Sequence, residues 1–157
     1  MKFSAQEEYG LRCLLQIARL GPEGSMTIPE ISRVEGLTPT HVAKLMMILR
    51  KGGFLKSTRG QAGGYALARV PEQIAIREVL ADLGGRLFDD EFCTRHGGPS
   101  TICAHAVDCS VRSLWQVVQS AVDDVLDRVS LADLLEKEAQ ASNVRMFSEP
   151  PKRTHVL

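Results

Sequence analysis

Thr38-Pro39-Thr40-His41-Val42-Ala43-Lys44-Leu45-Met46-Met47-Ile48-Leu49-Arg50-Lys51-Gly52-Gly53, followed by Phe54-Leu55-Lys56-Ser57 and Arg59-Gly60-Gln61-Ala62-Gly63-Gly64-Tyr65-Ala66-Leu67, is the stretch that decides the fold. A threonine cap with proline in the first turn opens a helix over 39–51, and a glycine pair closes it. The hydrophobic period then changes from helical to strand-like, and the run Arg59–Gly64 supplies a glycine-rich tip between two short strands, 54–57 and 65–67. Upstream, Thr27 with Glu30 forms a capping box for a helix over 28–35 that Gly36 ends. Two short helices joined by a tight turn and followed by a hairpin give the order of a winged helix-turn-helix. The expected fold class is therefore mainly α with a small β-hairpin wing.

Working outward, Ser4 with Glu7 caps a first helix over 5–20, whose apolar stripe includes Cys13 as a buried core thiol. Pro71 leads into a helix over 76–84. A long amphipathic helix over 110–128 carries Val111, Leu114, Trp115, Val118, Val122 and Val125 on a heavy apolar stripe that needs a partner surface, most simply a second copy of the chain. Ser130 with Asp133 caps a last short helix. Residues 1–85 thus read as the winged unit, 86–109 as a cysteine-rich loop, 110–140 as a dimerisation helix with a terminal helix, and 141–157 as a disordered tail.

The chain has 157 residues and zero formal net charge, yet residues 1–70 hold ten Lys/Arg against five Glu. A basic amino-terminal half suits a polyanion, here double-stranded DNA. The end of the 39–51 helix that enters a major groove carries Thr38, Thr40, His41 and Lys44. Arg50 and Lys51 suit phosphates, Arg59 on the hairpin tip suits a narrow minor groove, and Gln61 adds a sugar or base contact. Taken singly, Thr38 is a cap, His41 a surface residue, and Arg50 and Lys51 a solvated helix end; their ordered placement on one scaffold favours DNA. No secretory signal and no apolar stretch near membrane-spanning length is present, so a cytoplasmic protein without membrane association is expected. No nucleophile–base pair or phosphate loop points to an enzyme.

Cys93, Cys103 and Cys109 follow the pattern Cys-x9-Cys-x5-Cys in a stretch rich in His, Gly and Pro. The spacing is none of the tight zinc pairs, and a reducing compartment argues against stable disulfides. An iron–sulfur cluster tolerates such loop-borne spacing; zinc and redox thiols are the alternatives.

Met1-Lys2-Phe3-Ser4, Tyr9-Gly10-Leu11-Arg12, Ile31-Ser32, Leu49-Arg50-Lys51-Gly52-Gly53, the wing Arg59–Tyr65, and Cys109-Ser110-Val111-Arg112-Ser113-Leu114-Trp115 together resemble the Rrf-type winged helix-turn-helix regulators, the IscR- and NsrR-like iron–sulfur regulators. The resemblance covers about residues 1–135. It implies a homodimeric transcription regulator, in repressor form, that reads a palindromic operator. Its three-cysteine loop would hold an iron–sulfur cluster, 2Fe–2S or 4Fe–4S, that senses redox, nitric oxide or cluster status. Two departures stand out. The first cysteine gap is nine residues rather than five, and Arg112 stands where IscR-like members place a histidine. The resemblance makes Glu8 of the partner subunit the fourth ligand, with His96 or His105 as alternatives; the plainer role for Glu8 is an i,i+4 pair with Arg12. A zinc or thiol-switch regulator, or an iron–sulfur carrier or adaptor that does not bind DNA, are the rival readings.

Overall fold

The computed structural model describes residues 4–60, 63–89, 91–92 and 109–139. Its elements run α1 (Ala5–Ala18), α2 (Ile28–Glu35), α3 (Pro39–Lys51), β1 (Leu55–Thr58), β2 (Gly64–Leu67), a 3-10 turn (Pro71–Gln73), α4 (Ile76–Gly84), α5 (Ser110–Leu126) and α6 (Leu131–Ala139). This is the expected winged-helix class. No helix among the described residues is long and apolar enough to cross a membrane.

The helix starts are local chemistry. Ser4 and Glu7 form a complete capping box, as do Thr27 and Glu30, and the Thr38 hydroxyl accepts the His41 amide at 3.3 Å. Ser130 and Asp133 exchange bonds in the same way before α6. The Thr27 backbone and hydroxyl hold the Glu30 carboxyl below its usual pKa, and the Ser130 hydroxyl and amide do the same for Asp133. A lowered folded-state pKa means these caps contribute at neutral pH and lose that contribution as pH falls through it. Gly36 closes α2 at φ 67°, the left-handed conformation that glycine takes without penalty.

Helix α1 is the hub, packing on α2, α3, α4, α6 and β2. Cys13, Leu14 and Ile17 from α1 meet Ile31, Val42, Leu45, Met46, Leu49, Phe54 and Leu83 in one core. Gly10 permits the α1–α4 crossing: a methyl group there would occupy the space of the buried Leu83 side chain. The core also takes in Leu131, because Ile76 donates to Val129 and Leu131 to Ile74, both at 2.9 Å, clipping the start of α6 beside α4.

Four boundaries differ from the sequence expectation: α5 stops at Leu126 rather than 128, β2 starts at Gly64 rather than 65, and α1 and β1 are shifted as well. α1 stops at Ala18 rather than residue 20, with Arg19 and Leu20 in a turn. β1 runs Leu55–Thr58 rather than 54–57, because the Phe54 amide closes the end of α3 on Leu49 O at 3.0 Å. The hairpin pairs Leu55 with Leu67 and Thr58 with Gly64. Met26 adds a bridge to Tyr65, tying the α1–α2 loop to the wing.

Candidate functional site

α3 buries Val42, Leu45, Met46 and Leu49 and turns the opposite face outward. On that face Thr38, Thr40 and Lys44 are exposed at the amino-terminal end, and Arg50 and Lys51 at the other. Arg59 is exposed at the wing tip beside Gly60; Gln61 lies outside the described residues. Lys44, Arg50, Lys51 and Arg59 pair with no acid among the described residues, so their charge is available to a polyanion. Met47 is a large apolar side chain on the same outward face, half-exposed between Lys44 and Arg50; sequence reading passed over it because its helical neighbours are core residues.

His41 departs from the plain surface role. It is half-buried, its ring edge-to-face with Tyr9 of α1 at 5.5 Å between centroids. Glu8, one residue earlier, is exposed and pairs with no described residue. The i,i+4 pairing read for it is not formed, since Arg12 instead donates from Nε to Glu35 Oε2 at 2.7 Å. Glu35 is a buried carboxylate at the end of α2 that also accepts from the Gln16 amide. Nothing local in the sequence signals this pairing, because its partners are 23 residues apart.

Of the four cysteines, Cys13 and Cys109 fall within the described residues; Cys93, Cys103, His96 and His105 lie outside them. Cys13 is fully buried, and burial, then the Glu35 carboxylate, push its thiol up to about 12. It should therefore resist iodoacetamide at neutral pH in the folded protein and react fully after denaturation, read by mass spectrometry of the Cys13 peptide. Early labelling would contradict its place in the core.

Cys109 is half-buried at the cap of α5, its sulfur accepting the Arg112 amide at 3.3 Å. Among the described residues no three His, Cys, Asp or Glu side chains converge as a metal site. The segment that leads into the cysteine stretch is nonetheless fixed to α5. The Phe88 amide donates to Gln119 Oε1 at 2.9 Å, Gln119 donates on to Asp123 at 2.8 Å, and Arg86 pairs with Asp123. Phe88 is thus held at the middle of α5, and Cys109 caps the start of the same helix.

Beyond that anchorage α5 carries an exposed apolar face among the described residues. Val111, Leu114, Trp115, Val117 and Val125 are exposed, Val117 to 66%. Leu80, Ala81, Leu87, Val118, Val122 and Leu126 line an apolar groove between α4 and α5.

The chain is similar to protein rrf2 of Nitratidesulfovibrio vulgaris, 30% identical over 158 residues, covering 99% of this chain and 100% of that one. It is 29% identical to the transcriptional regulator CymR of Bacillus subtilis, over 85% of this chain and 89% of the other. Among solved structures, T. potens IscR superposes with a TM-score of 0.70 at 29% identity, covering 92% of this chain and 93% of that one. The structure of CymR, the global cysteine regulator of B. subtilis, follows at 0.64 and 28%, covering 87% and 97%. A family described as iron-dependent transcriptional regulators, Rrf2, matches residues 3–137. With winged helix, outward basic face and near-full-length likeness in agreement, the chain belongs to the Rrf2 family of transcriptional regulators.

Proposed function

We propose that the protein is a homodimeric repressor that reads a palindromic duplex site and responds to redox, nitric oxide or iron–sulfur status through a bound cluster. The observation that carries the DNA reading is the outward face of α3 and the wing, where Thr38, Thr40, Lys44, Arg50, Lys51 and Arg59 stand exposed around a helix whose other side is core. Thr40 and Lys44 would meet base edges, with Thr38 and His41 in the same turn; Arg50 and Lys51 would meet phosphates, and Arg59 a minor groove. Gln61 is assigned to the wing contact by its place in the sequence. The exposed apolar face of α5 supports a second copy, whose two-fold axis would match operator symmetry.

Cys93, Cys103 and Cys109 with Glu8 of the partner subunit would hold the cluster, His96 or His105 standing in if Glu8 does not. Two described donors suit that role: the Cys109 thiol lies half-buried at a helix cap, and Glu8 is an exposed carboxylate with no partner among the described residues. Bound there, a 2Fe–2S or 4Fe–4S cluster supplies a group whose charge and ligands change with oxidants or nitric oxide. The rest belongs to the chain. Glu8 sits in the first turns of α1, and α1 packs directly on α3, so a tether on Glu8 restrains the element that seats the reading helix.

Selection from random duplexes should yield a palindromic site, with binding that falls steeply as salt rises. Arg59→Ala should weaken that site about tenfold and reduce the salt slope by about one. A protein with no salt-dependent duplex binding would sink the DNA reading and favour the carrier or adaptor. The likeness to CymR, close to that for IscR, supports a second reading in which the thiols act without a cluster. Iron, sulfide and zinc analysis separates the two.

A further inference from the structure

The reading end of α3 is held from the side by α1. The Tyr9 ring meets the His41 ring with centroids 5.5 Å apart and planes at 82°. The Arg12 guanidinium lies 5.6 Å from the centroid of the same tyrosine ring. Arg12 is itself fixed to α2, donating from Nε to Glu35 Oε2 at 2.7 Å and from Nη2 to the Glu35 carbonyl at 3.4 Å. Glu35 holds still because its side chain is 4% exposed and also bonded to Gln16. Four side chains, Glu35, Arg12, Tyr9 and His41, therefore link α2 through α1 to the first turn of α3.

Resting on the reading of α3 as the base-contacting helix, we propose that Tyr9 is a positioning residue for sequence recognition: it fixes the His41 ring that α3 presents to DNA. A histidine in an exposed first turn would otherwise distribute over several rotamers, and ordering it on binding costs affinity at the selected site. Here both ends of His41 are restrained, its amide by the Thr38 hydroxyl at 3.3 Å and its ring by Tyr9. Non-specific binding runs through phosphate contacts and gains nothing from that restraint. Tyr9 also adjoins Glu8, so a displacement of this turn of α1 reaches His41 through one ring contact.

The test compares affinity for the selected duplex with affinity for a random duplex at fixed salt. Tyr9→Phe keeps the ring and should keep the ratio. Tyr9→Leu keeps apolar bulk without the ring and should lower the ratio about fivefold, leaving random-duplex affinity and salt slope unchanged. Combined with His41→Ala, it should add nothing to His41→Ala alone. Arg12→Lys, which keeps the charge but loses the fork on Glu35, is a second probe should Tyr9→Leu fail to fold, and should lower the ratio in the same direction. A selective wild type whose Tyr9→Leu variant keeps the ratio, or loses it additively with His41→Ala, overturns the role of Tyr9 alone. A wild type with no selective binding overturns the function on which it rests.

Discussion

Purified without oxygen, the protein should be coloured and carry iron and acid-labile sulfide, and Cys93→Ala, Cys103→Ala and Cys109→Ala should each be colourless. The loss is expected to be all-or-none because, in the proposed site, three thiolates would carry nearly all of the cluster's attachment, and removing one would leave an iron without its strongest ligand. Cys13→Ala should retain full iron and sulfide, since that thiol is fully buried, neutral, and packed among Leu14, Ile17 and Ile31. Glu8→Ala should show an intermediate outcome, with the cluster formed but lost faster in air, because a carboxylate is a more exchangeable ligand than a thiolate. A Glu8→Ala protein as stable to air as wild type would move the fourth ligand to His96 or His105. A colourless wild type lacking iron and sulfide ends the cluster reading and leaves the thiol regulator, and zinc in its place would identify the metal-switch rival.

The parts of the fold visible in the sequence are those set by neighbours a few residues apart. Ser4 with Glu7, Thr27 with Glu30, Thr38 with the His41 amide, and Ser130 with Asp133 all form as read, because each cap needs only a side chain reaching three residues along the chain. The misread side-chain roles depend on distant partners. An i,i+4 pair between Glu8 and Arg12 offers about 0.2–0.5 kcal/mol, whereas leaving the Glu35 carboxylate buried and unpaired would cost several times that. Arg12 therefore turns to Glu35. Likewise the His41 ring meets Tyr9, 32 residues earlier in the chain, a contact that its sequence neighbours do not show. The need for glycine at position 10 becomes visible only when Leu83 is placed against it. The cysteine stretch could be recognised by residue type and spacing, but of its ligands Cys109 alone is among the described residues, so the ligand set is still an inference from chemistry.

Phe54→Ala should cost about 4 kcal/mol of stability, roughly a thousandfold in the folding equilibrium. Phe54 is 1% exposed and is the largest of the fully buried side chains among the described residues. Its ring fills the junction between α3 and β1, under the Arg69 guanidinium at 5.1 Å and against Gly52, where a methyl group would collide with it. The cavity cannot readily collapse, because the backbone around it is fixed from both sides: the Phe54 amide donates to Leu49 O at 3.0 Å and its carbonyl accepts the Ala68 amide at 2.9 Å. Urea unfolding followed by circular dichroism should show the midpoint falling by about 2–3 M for a slope near 1.5 kcal/mol per M. Phe54→Leu, which refills most of the volume, should lose only about 1 kcal/mol. The wing begins at the next residue, so the same substitution should loosen it. At a temperature where Phe54→Ala is still folded, adding Arg59→Ala should cost less DNA affinity than it does in the wild type. A loss below about 1 kcal/mol for Phe54→Ala would mean that the wing is not anchored in the core through this ring.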